Sequence, residues 1–486
     1  MLIVKYRSIP PGLWATIGLQ KKVLPDCVRT LHWYALMDSF VLDFVYLYSR
    51  FSKAAKLCRA VPNFESIRPY RDEEVPSVVR RLINSVELRN GIASFLFPRL
   101  YSFSSVATQH LTAIILRLRS RRLRTVHEVQ MMVGTFIDHM VRSSVDELSW
   151  SGLENLDRSQ SYLFVSNHRD ITLDSALLNR VLHEDGFPTC EIAVGVNLFG
   201  TPYADDLMRL NRGFLVERAA GGPKKVYAAL MRTSTYIRES LESGASVWIA
   251  QREGRAKDGF DRTEPALIKM LALAWRKSRT AAGVKKEISQ LDELLNVVRI
   301  VPVAISYELD PCDLLKADEL YDIATEGAFT KPEGADLASI VAGMRGYKGR
   351  VHLHFSKPLS GHYDSAEEIA RAMDEAIVGE LKIFPSNARA WNQLAQVDVR
   401  GLQVEKPLGH SVSHAQMQAE GSGSEASSKA LDFFDARIRD VAIEKQRYVL
   451  IQYANLLHNR LELGFDLGLE TDSEAAHQDL TQINSR

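Results

Sequence analysis

Tyr162-Leu163-Phe164-Val165-Ser166-Asn167-His168-Arg169-Asp170-Ile171-Thr172-Leu173-Asp174 is the stretch that decides the fold. Tyr162 to Val165 is a short apolar run rich in β-formers and predicts a buried strand. Ser166 and Asn167 end it, Asp170 to Asp174 supplies several N-cap candidates, and apolar residues resume at helical spacing from Ser175 to Leu182. His168 thus falls on a loop where a strand hands over to a helix. Open α/β sheets place their ligands at such carboxyl ends of strands. An imidazole followed by Asp170 and Asp174 is a candidate general base with an orienting carboxylate, and the loop leaves either Asp open as the partner. A surface histidine in a capped loop is the plainer reading, and it is the later stretches that move the balance toward chemistry.

Outward from this loop the chain alternates. Strands are predicted at Tyr162–Val165, Glu191–Val196, Gly213–Glu217, Ser246–Ala250, Val298–Tyr307 and Arg350–Phe355. Helical segments lie between most of them, at Asp174–Leu182, Tyr203–Leu210, Pro223–Leu241, Pro265–Arg276 and Lys286–Leu295. Two more, Ser365–Val378 and Leu381–Leu394, follow the last strand. The pattern predicts an α/β domain with a mainly parallel sheet flanked by helices over residues 150–398. Residues 1–149 read as a helical region, with apolar spacing in Val75–Phe97, Val106–Leu123 and Val126–Met140. Residues 399–430, centred on Gly421-Ser422-Gly423-Ser424, read as a flexible linker, and 431–486 as a C-terminal helical extension.

Composition bounds the function. The chain has 486 residues, 46% hydrophobic and 25% charged, which is a globular balance with room for several domains. Lys plus Arg and Asp plus Glu both total 60, so net charge gives no reason to expect a nucleic-acid partner. Cys27, Cys58, Cys190 and Cys312 lack the spacing of a metal knuckle or a disulfide framework and suit a reducing compartment. No run reaches the ~20 apolar residues of a spanning helix; Leu31–Tyr48 is broken by Asp38 and Asp43. No signal peptide is expected from an N-terminus carrying Lys5, Arg7 and Pro10-Pro11. Arg117, Arg119, Arg121, Arg122 and Arg124 crowd after the apolar Leu111–Leu116, and Phe95–Tyr101 is dense in aromatics. An apolar face beside clustered arginines suits contact with an anionic membrane surface; the plainer reading is a core helix ending in a solvated basic turn.

Three further stretches carry candidate chemistry. In Asn211-Arg212-Gly213-Phe214-Leu215-Val216-Glu217-Arg218, arginines bracket a short strand and suit bidentate contact with phosphate oxygens. In Gln251-Arg252-Glu253-Gly254-Arg255-Ala256-Lys257-Asp258-Gly259, a buried strand runs into a dense charged turn, with Gly254 permitting close backbone approach and Arg255 and Lys257 available to an anion. In Ile300-Val301-Pro302-Val303-Ala304-Ile305-Ser306-Tyr307, a proline inside an apolar strand suits an edge strand or a bulge. His352 and His354 share a strand face and read as packed or exposed strand imidazoles, His410 and His414 lie in a flexible, Ser-rich segment without acidic neighbours, and no metal site is expected.

In this order the four blocks resemble the phospholipid/glycerol acyltransferase family, the glycerol-3-phosphate and 1-acylglycerol-3-phosphate acyltransferases, and especially a bacterial subgroup. The matching residues are Asn167-His168 with Asp174, Gly213-Phe214 with Arg218, Glu253-Gly254-Arg255, and Val301-Pro302-Val303, covering roughly residues 150 to 360. His168 and Asp174 stand one residue further apart than is usual in the family, Arg255 follows Gly254 where a Thr or Ser is usual, and Gly213 and Arg218 stand one residue closer. Anchoring on Arg218 puts Arg212 at the family's glycine. The resemblance implies transfer of a fatty acyl group from acyl-CoA or acyl-carrier protein, as co-substrate, to a hydroxyl of glycerol-3-phosphate or 1-acylglycerol-3-phosphate. It implies His168 as base with Asp174 or Asp170 behind it. Substrate binding would fall to Asn167, Arg212, Gly213, Arg218, Glu253, Gly254, Arg255, Lys257 and Pro302, with no cofactor. A cytoplasmic enzyme, peripheral on the inner face of the cell membrane, is the expected setting. The alternatives are a non-phosphate lipid acceptor, or a non-catalytic membrane module on the same scaffold.

Overall fold

Apolar runs too short for helices and bounded by turn residues become the strands of one seven-stranded sheet. The computed structural model describes residues 63–195, 202–217, 221–275, 290–332, 334–396 and 425–465. Its strands are β1 (Val145–Ser151), β2 (Leu163–Ser166), β3 (Glu191–Gly195), β4 (Gly213–Val216), β5 (Val247–Ala250), β6 (Ile300–Tyr307) and β7 (Gly349–Phe355), in the spatial order β1-β7-β6-β2-β5-β3-β4. From β6 to β4 all neighbours are parallel, while β7 runs antiparallel to β6 and β1 parallel to β7. The sheet is therefore mainly parallel, with a reversed two-stranded margin.

Among the described residues five helices precede β1, and the last runs directly into it: α1 (Val75–Asn84), α2 (Val86–Leu96), α3 (Pro98–Phe103), α4 (Ser105–Ser120) and α5 (Val126–Ser144). The Val75–Phe97 segment is broken at Ser85, whose hydroxyl accepts from Leu88 N at 3.2 Å and caps α2. Among the strands lie α6 (Leu173–Glu184), α7 (Pro202–Leu210), α8 (Pro223–Glu242), α9 (Pro265–Ala272) and α10 (Gln290–Val297). Two helices separate β6 from β7, α11 (Asp313–Glu326) and α12 (Ala335–Arg345). After β7 come α13 (Ala366–Glu380), α14 (Pro385–Gln396), α15 (Glu425–Asp440) and α16 (Ile443–Glu462).

The central strands are buried on both faces, which is why they read as unbroken apolar runs. Phe164, Trp248, Val301, Val303, Ile305 and Tyr307 pack on one face against Leu173, Leu177 and Val181 of α6. Leu163, Val165, Val247, Ile249 and Ile300 pack on the other, against Ile237, Ile268 and Met373.

Two boundaries differ from expectation. Residues from Phe64 onward cluster as one unit, and β1 runs through the division expected at 149/150. It went unseen because Val-Asp-Glu-Leu-Ser-Trp-Ser follows α5 without a turn and sits half-exposed at the sheet edge. The linker expected to end at residue 430 ends by Glu425, where α15 begins; residues 397–424 lie outside the described residues, as do 1–62 and 466–486. The C-terminal segment forms a helical hairpin packed on the domain: Tyr448, Val449 and Tyr453 of α16 and Phe434 of α15 share a core with Trp391 of α14 and Ala317 of α11. Pro302 is not on an edge strand, since β6 lies between β7 and β2. It is tolerated because the β7 ladder starts only at Val303, so no amide is needed at its nitrogen, while its carbonyl still accepts from Ser356 N at 3.0 Å.

Candidate active site

β2 and β5 end side by side at Ser166 and Ala250 while β6 runs on past them to Tyr307, and His168 leaves the carboxyl end of β2 between them. Its Nδ1 lies 2.8 Å from Asp174 Oδ2. A carboxylate can only accept, so Nδ1 carries the proton and Nε2 is left as the base. Nε2 makes no hydrogen bond among the described residues, and the His168 side chain is 14% exposed. The extra residue between His168 and Asp174 is taken up in a tight turn. Asp170 Oδ1 accepts from Thr172 N at 2.9 Å and Leu173 N at 2.8 Å, capping the start of α6. That places Asp174 in the first helical turn, where the helix dipole favours a negative charge.

Asp174 is fully buried and held by four donors. Oδ2 accepts from Arg169 N at 2.7 Å, Asp170 N at 3.0 Å and His168, and Oδ1 accepts from the Tyr307 hydroxyl at 2.9 Å. Tyr307 was quoted within its strand but given no role in the sequence reading. Its signal is the alternation Val301, Val303, Ile305, Tyr307, which puts it on the face that meets α6. Burial, then the neighbouring Asp174 charge, drives the Tyr307 phenol well above its ordinary range, so it stays a donor. Asp170 is the wrong partner for His168. Its carboxylate caps the helix, and burial followed by repulsion from Asp174 pushes its pKa up.

Several residues expected to touch substrate have structural duties. Asn167 is buried, with its amide spent on β6: Nδ2 donates to Ile305 O at 2.9 Å and Oδ1 accepts from Ile305 N at 2.8 Å. Arg212 and Gly213 lie at the amino end of β4, opposite the edge that bears His168, because β4 is parallel to its neighbours. Arg212, at φ 63°, donates to Thr189 O at 3.0 Å and lines a separate cavity of about 500 Å³. Gly213 is required because a side chain there would strike Met208 O. Arg218 lies outside the described residues. Pro302 is buried within β6.

The charged turn after β5 does reach the site. Gln251 N donates to Ser166 O at 2.8 Å and Ala256 N to His168 O at 2.9 Å, so this turn and the histidine loop are laced together. Gly254 has φ 75° and lies exposed, as does Glu253. Arg255 donates to Ser339 Oγ of α12 at 3.3 Å, while its Nη1 is buried without a hydrogen-bond partner. Lys257 pairs with Glu319 of α11. Cys312 lies 3.3 Å from Ser339 O and 3.7 Å from Asp170 Oδ2; burial pushes its thiol to about 12, which leaves no thiolate nucleophile there. Among the described residues no cluster of His, Cys, Asp and Glu is suited to a metal, and His352 instead bonds Ser149 and Ser151.

A partly exposed His on a buried Asp, with a third group fixing the Asp, at the carboxyl edge of a parallel sheet and beside a charged turn, can deprotonate a hydroxyl. Residues 147–306 match the family described as Acyltransferase. The chain is 30% identical over 200 residues to a glycerol-3-phosphate acyltransferase of Pseudoalteromonas atlantica, a match covering 41% of this chain and 22% of that protein. It is 26% identical over 227 residues to a glycerol-3-phosphate acyltransferase of Alteromonas mediterranea, covering 47% of this chain and 24% of that protein. The chain thus spans about a quarter of the length of these relatives. Among solved structures, the 1-acyl-sn-glycerophosphate (LPA) acyltransferase PlsC from Thermotoga maritima aligns with 59% of this chain and 91% of its own, at 14% identity and a TM-score of 0.32. Residues 147–306 thus match an acyltransferase domain, and over part of its length the chain is similar to glycerol-3-phosphate acyltransferases.

Proposed function

We propose that this protein is an O-acyltransferase that moves a fatty acyl group from acyl-CoA or acyl-carrier protein to a hydroxyl of glycerol-3-phosphate or 1-acylglycerol-3-phosphate. The observation that carries the reading is the His168–Asp174–Tyr307 relay, with Nε2 as the open nitrogen. His168 Nε2 takes the acceptor's hydroxyl proton as its oxygen attacks the thioester carbonyl carbon. The tetrahedral intermediate collapses with cleavage of the C–S bond, and the imidazolium returns the proton to the departing thiolate. Asp174 holds the ring's tautomer and offsets the imidazolium charge. The thioester is already activated, so no enzyme nucleophile is called for.

Arg255 supplies the anion contact in this reading, through its unpartnered Nη1, with Lys257 beside it. α12 has two roles. Its Ser339 meets Arg255 on the site side. Its Leu337, Ala338 and Val341 line, with Pro311, Leu314 and Leu315, an apolar groove of about 770 Å³ that suits a fatty acyl chain. Membrane contact at the inner face of the cell membrane fits the exposed Leu100, Phe103, Val106, Ile114 and Leu118, with Phe103 88% exposed, beside the exposed Arg117, Arg119, Arg121 and Arg122. No helix among the described residues is long and apolar enough to cross a membrane.

The test offers each donor to the full chain with glycerol-3-phosphate, 1-acylglycerol-3-phosphate and an unphosphorylated lysolipid in parallel. Ester formation on a phosphorylated acceptor supports the reading. Equal use of the unphosphorylated acceptor removes the phosphate contact from it, and no ester from any pairing overturns it.

A further inference from the structure

α16 lies outside the matched acyltransferase segment, yet it carries three buried amides on one face: Gln452, Asn455 and Asn459. Spacings of three and four place them in a row along the helix. Burying a polar side chain is unfavourable unless it is hydrogen-bonded, so three in a row call for partners. Each amide nitrogen finds a backbone carbonyl on a neighbouring segment. Asn455 Nδ2 donates to Asp258 O at 2.7 Å, Asn459 Nδ2 to Asp261 O at 3.2 Å, and Gln452 Nε2 to Asp313 O at 2.9 Å. Gly259, at φ 87°, sits so close to this helix that a side chain there would strike Gln452 O. Arg262 adds an ion pair with Glu462 at 2.7 Å.

The segment held in this way is the continuation of the charged turn. Arg255 and Lys257 immediately precede it. Asp261, buried in it, pairs with Arg169, which also reaches Gly259 O at 3.4 Å. Arg169 is the neighbour of His168, and its own amide is a ligand of Asp174. Lys316 Nζ closes the cluster on Arg169 O at 2.8 Å. A continuous path of hydrogen bonds therefore runs from α16 through the 258–261 turn to Arg169 and the His–Asp pair.

We propose that Asn455 and Asn459 are positioning residues of the acyl-transfer site: they clamp the 258–261 turn so that Arg255 and Lys257 are set to receive the acceptor's anionic group. This inference rests on the function proposed above. On it, the C-terminal hairpin is part of the working site rather than an appendage. The clamp acts on the anion-binding turn, whereas Asp174 has four donors of its own, so its loss falls on acceptor binding.

The experiment compares the wild-type full chain with Asn455→Ala/Asn459→Ala, with the near-isosteric Asn455→Asp, which removes the donor with little change of shape, and with Lys445→Ala. Lys445 ties the same helix to Asp318 at 2.6 Å, away from the turn. At roughly fivefold per lost hydrogen bond, the double variant is expected to raise the acceptor KM about 10- to 30-fold. Its kcat should stay within about threefold and its donor KM unchanged, while Lys445→Ala behaves as wild type. Hydrogen exchange in the 251–262 segment, which needs no substrate, should quicken in the double variant and in Asn455→Asp but not in Lys445→Ala. An unchanged acceptor KM in a folded Asn455→Asp, or an equal KM rise in Lys445→Ala, overturns the proposal. If the wild type transfers no acyl group, the function above fails, and exchange alone decides: unchanged protection of 251–262 in the variants refutes the clamp, and loss of protection upholds it.

Discussion

Exchanging Asp174 for Asn removes one negative charge and almost no volume. Oδ2 now accepts from three N–H groups and Oδ1 from the Tyr307 hydroxyl. An amide with its oxygen at the Oδ2 position keeps the three N–H bonds. Its NH2 then faces Tyr307, whose hydroxyl can rotate to accept. The site therefore keeps its shape, and what disappears is the charge opposite the imidazolium that forms as the hydroxyl is deprotonated. At a separation of about 4 Å and an effective dielectric of about 20, that attraction is about 4 kcal/mol, or roughly 10³ in rate. A flipped amide would be worse, because it would force the ring into the wrong tautomer; removal of the Asp charge behind a catalytic His has an effect of about 10⁴. Asp174→Asn should thus lower kcat by about 10³ to 10⁴, with thermal unfolding close to wild type. The assay is steady-state transfer of a labelled acyl group, read as lipid product. Asp170→Asn is the control: the amide oxygen can still cap Thr172 and Leu173, so turnover should stay within about threefold. A folded Asp174→Asn enzyme that loses less than about tenfold refutes the reasoning, as does an Asp170→Asn enzyme that loses more.

Tyr307→Phe leaves Asp174 Oδ1 without its donor inside the core, so it should lower stability by about 1–3 kcal/mol and reduce kcat about tenfold; urea unfolding and turnover together check this. Arg255→Ala should raise the KM of a phosphorylated acceptor about tenfold or more while leaving an unphosphorylated one little changed, as parallel acceptor titrations would show. His352 is held near 4 by burial, then by Lys382 and His354, against an ordinary 6.5. Between those values the unfolded chain binds the extra proton, so its contribution to stability is present above pH 6.5 and is lost as the pH falls toward 4. His352→Gln should remove about 1–2 kcal/mol of that acid sensitivity, discounted for partial exposure and read as the difference in unfolding free energy between pH 6.5 and 4.5.

The histidine loop was legible because its evidence is local. A strand buried on both faces, two polar residues and a capped helix lie within one short stretch, and His168 and Asp174 belong to the same loop and helix start. Choosing between Asp170 and Asp174 was not legible. It depends on which carboxylate caps the backbone, and adding one residue to the loop is absorbed by the Asp170 turn. Arg212 precedes β4, and the parallel direction of that strand puts it on the sheet edge away from His168, a consequence that local matching of a sequence block does not weigh. Pro302 suggested an edge strand, since the late start of the β7 ladder cannot be read locally. Tyr307 and the α16 amides act across large sequence separations. The amides leave only a faint trace, three polar residues at helical spacing in an otherwise apolar face.

The most direct test of the account is acyl transfer by purified wild type and His168→Ala, with the same labelled donor and the phosphorylated acceptor that the wild type prefers. The His168 side chain makes one hydrogen bond, to Asp174, and is partly exposed, so the alanine variant should fold. The account predicts a wild-type product that falls by at least about 10² in the variant while donor binding persists. Near-wild-type turnover in a folded His168→Ala protein would contradict it.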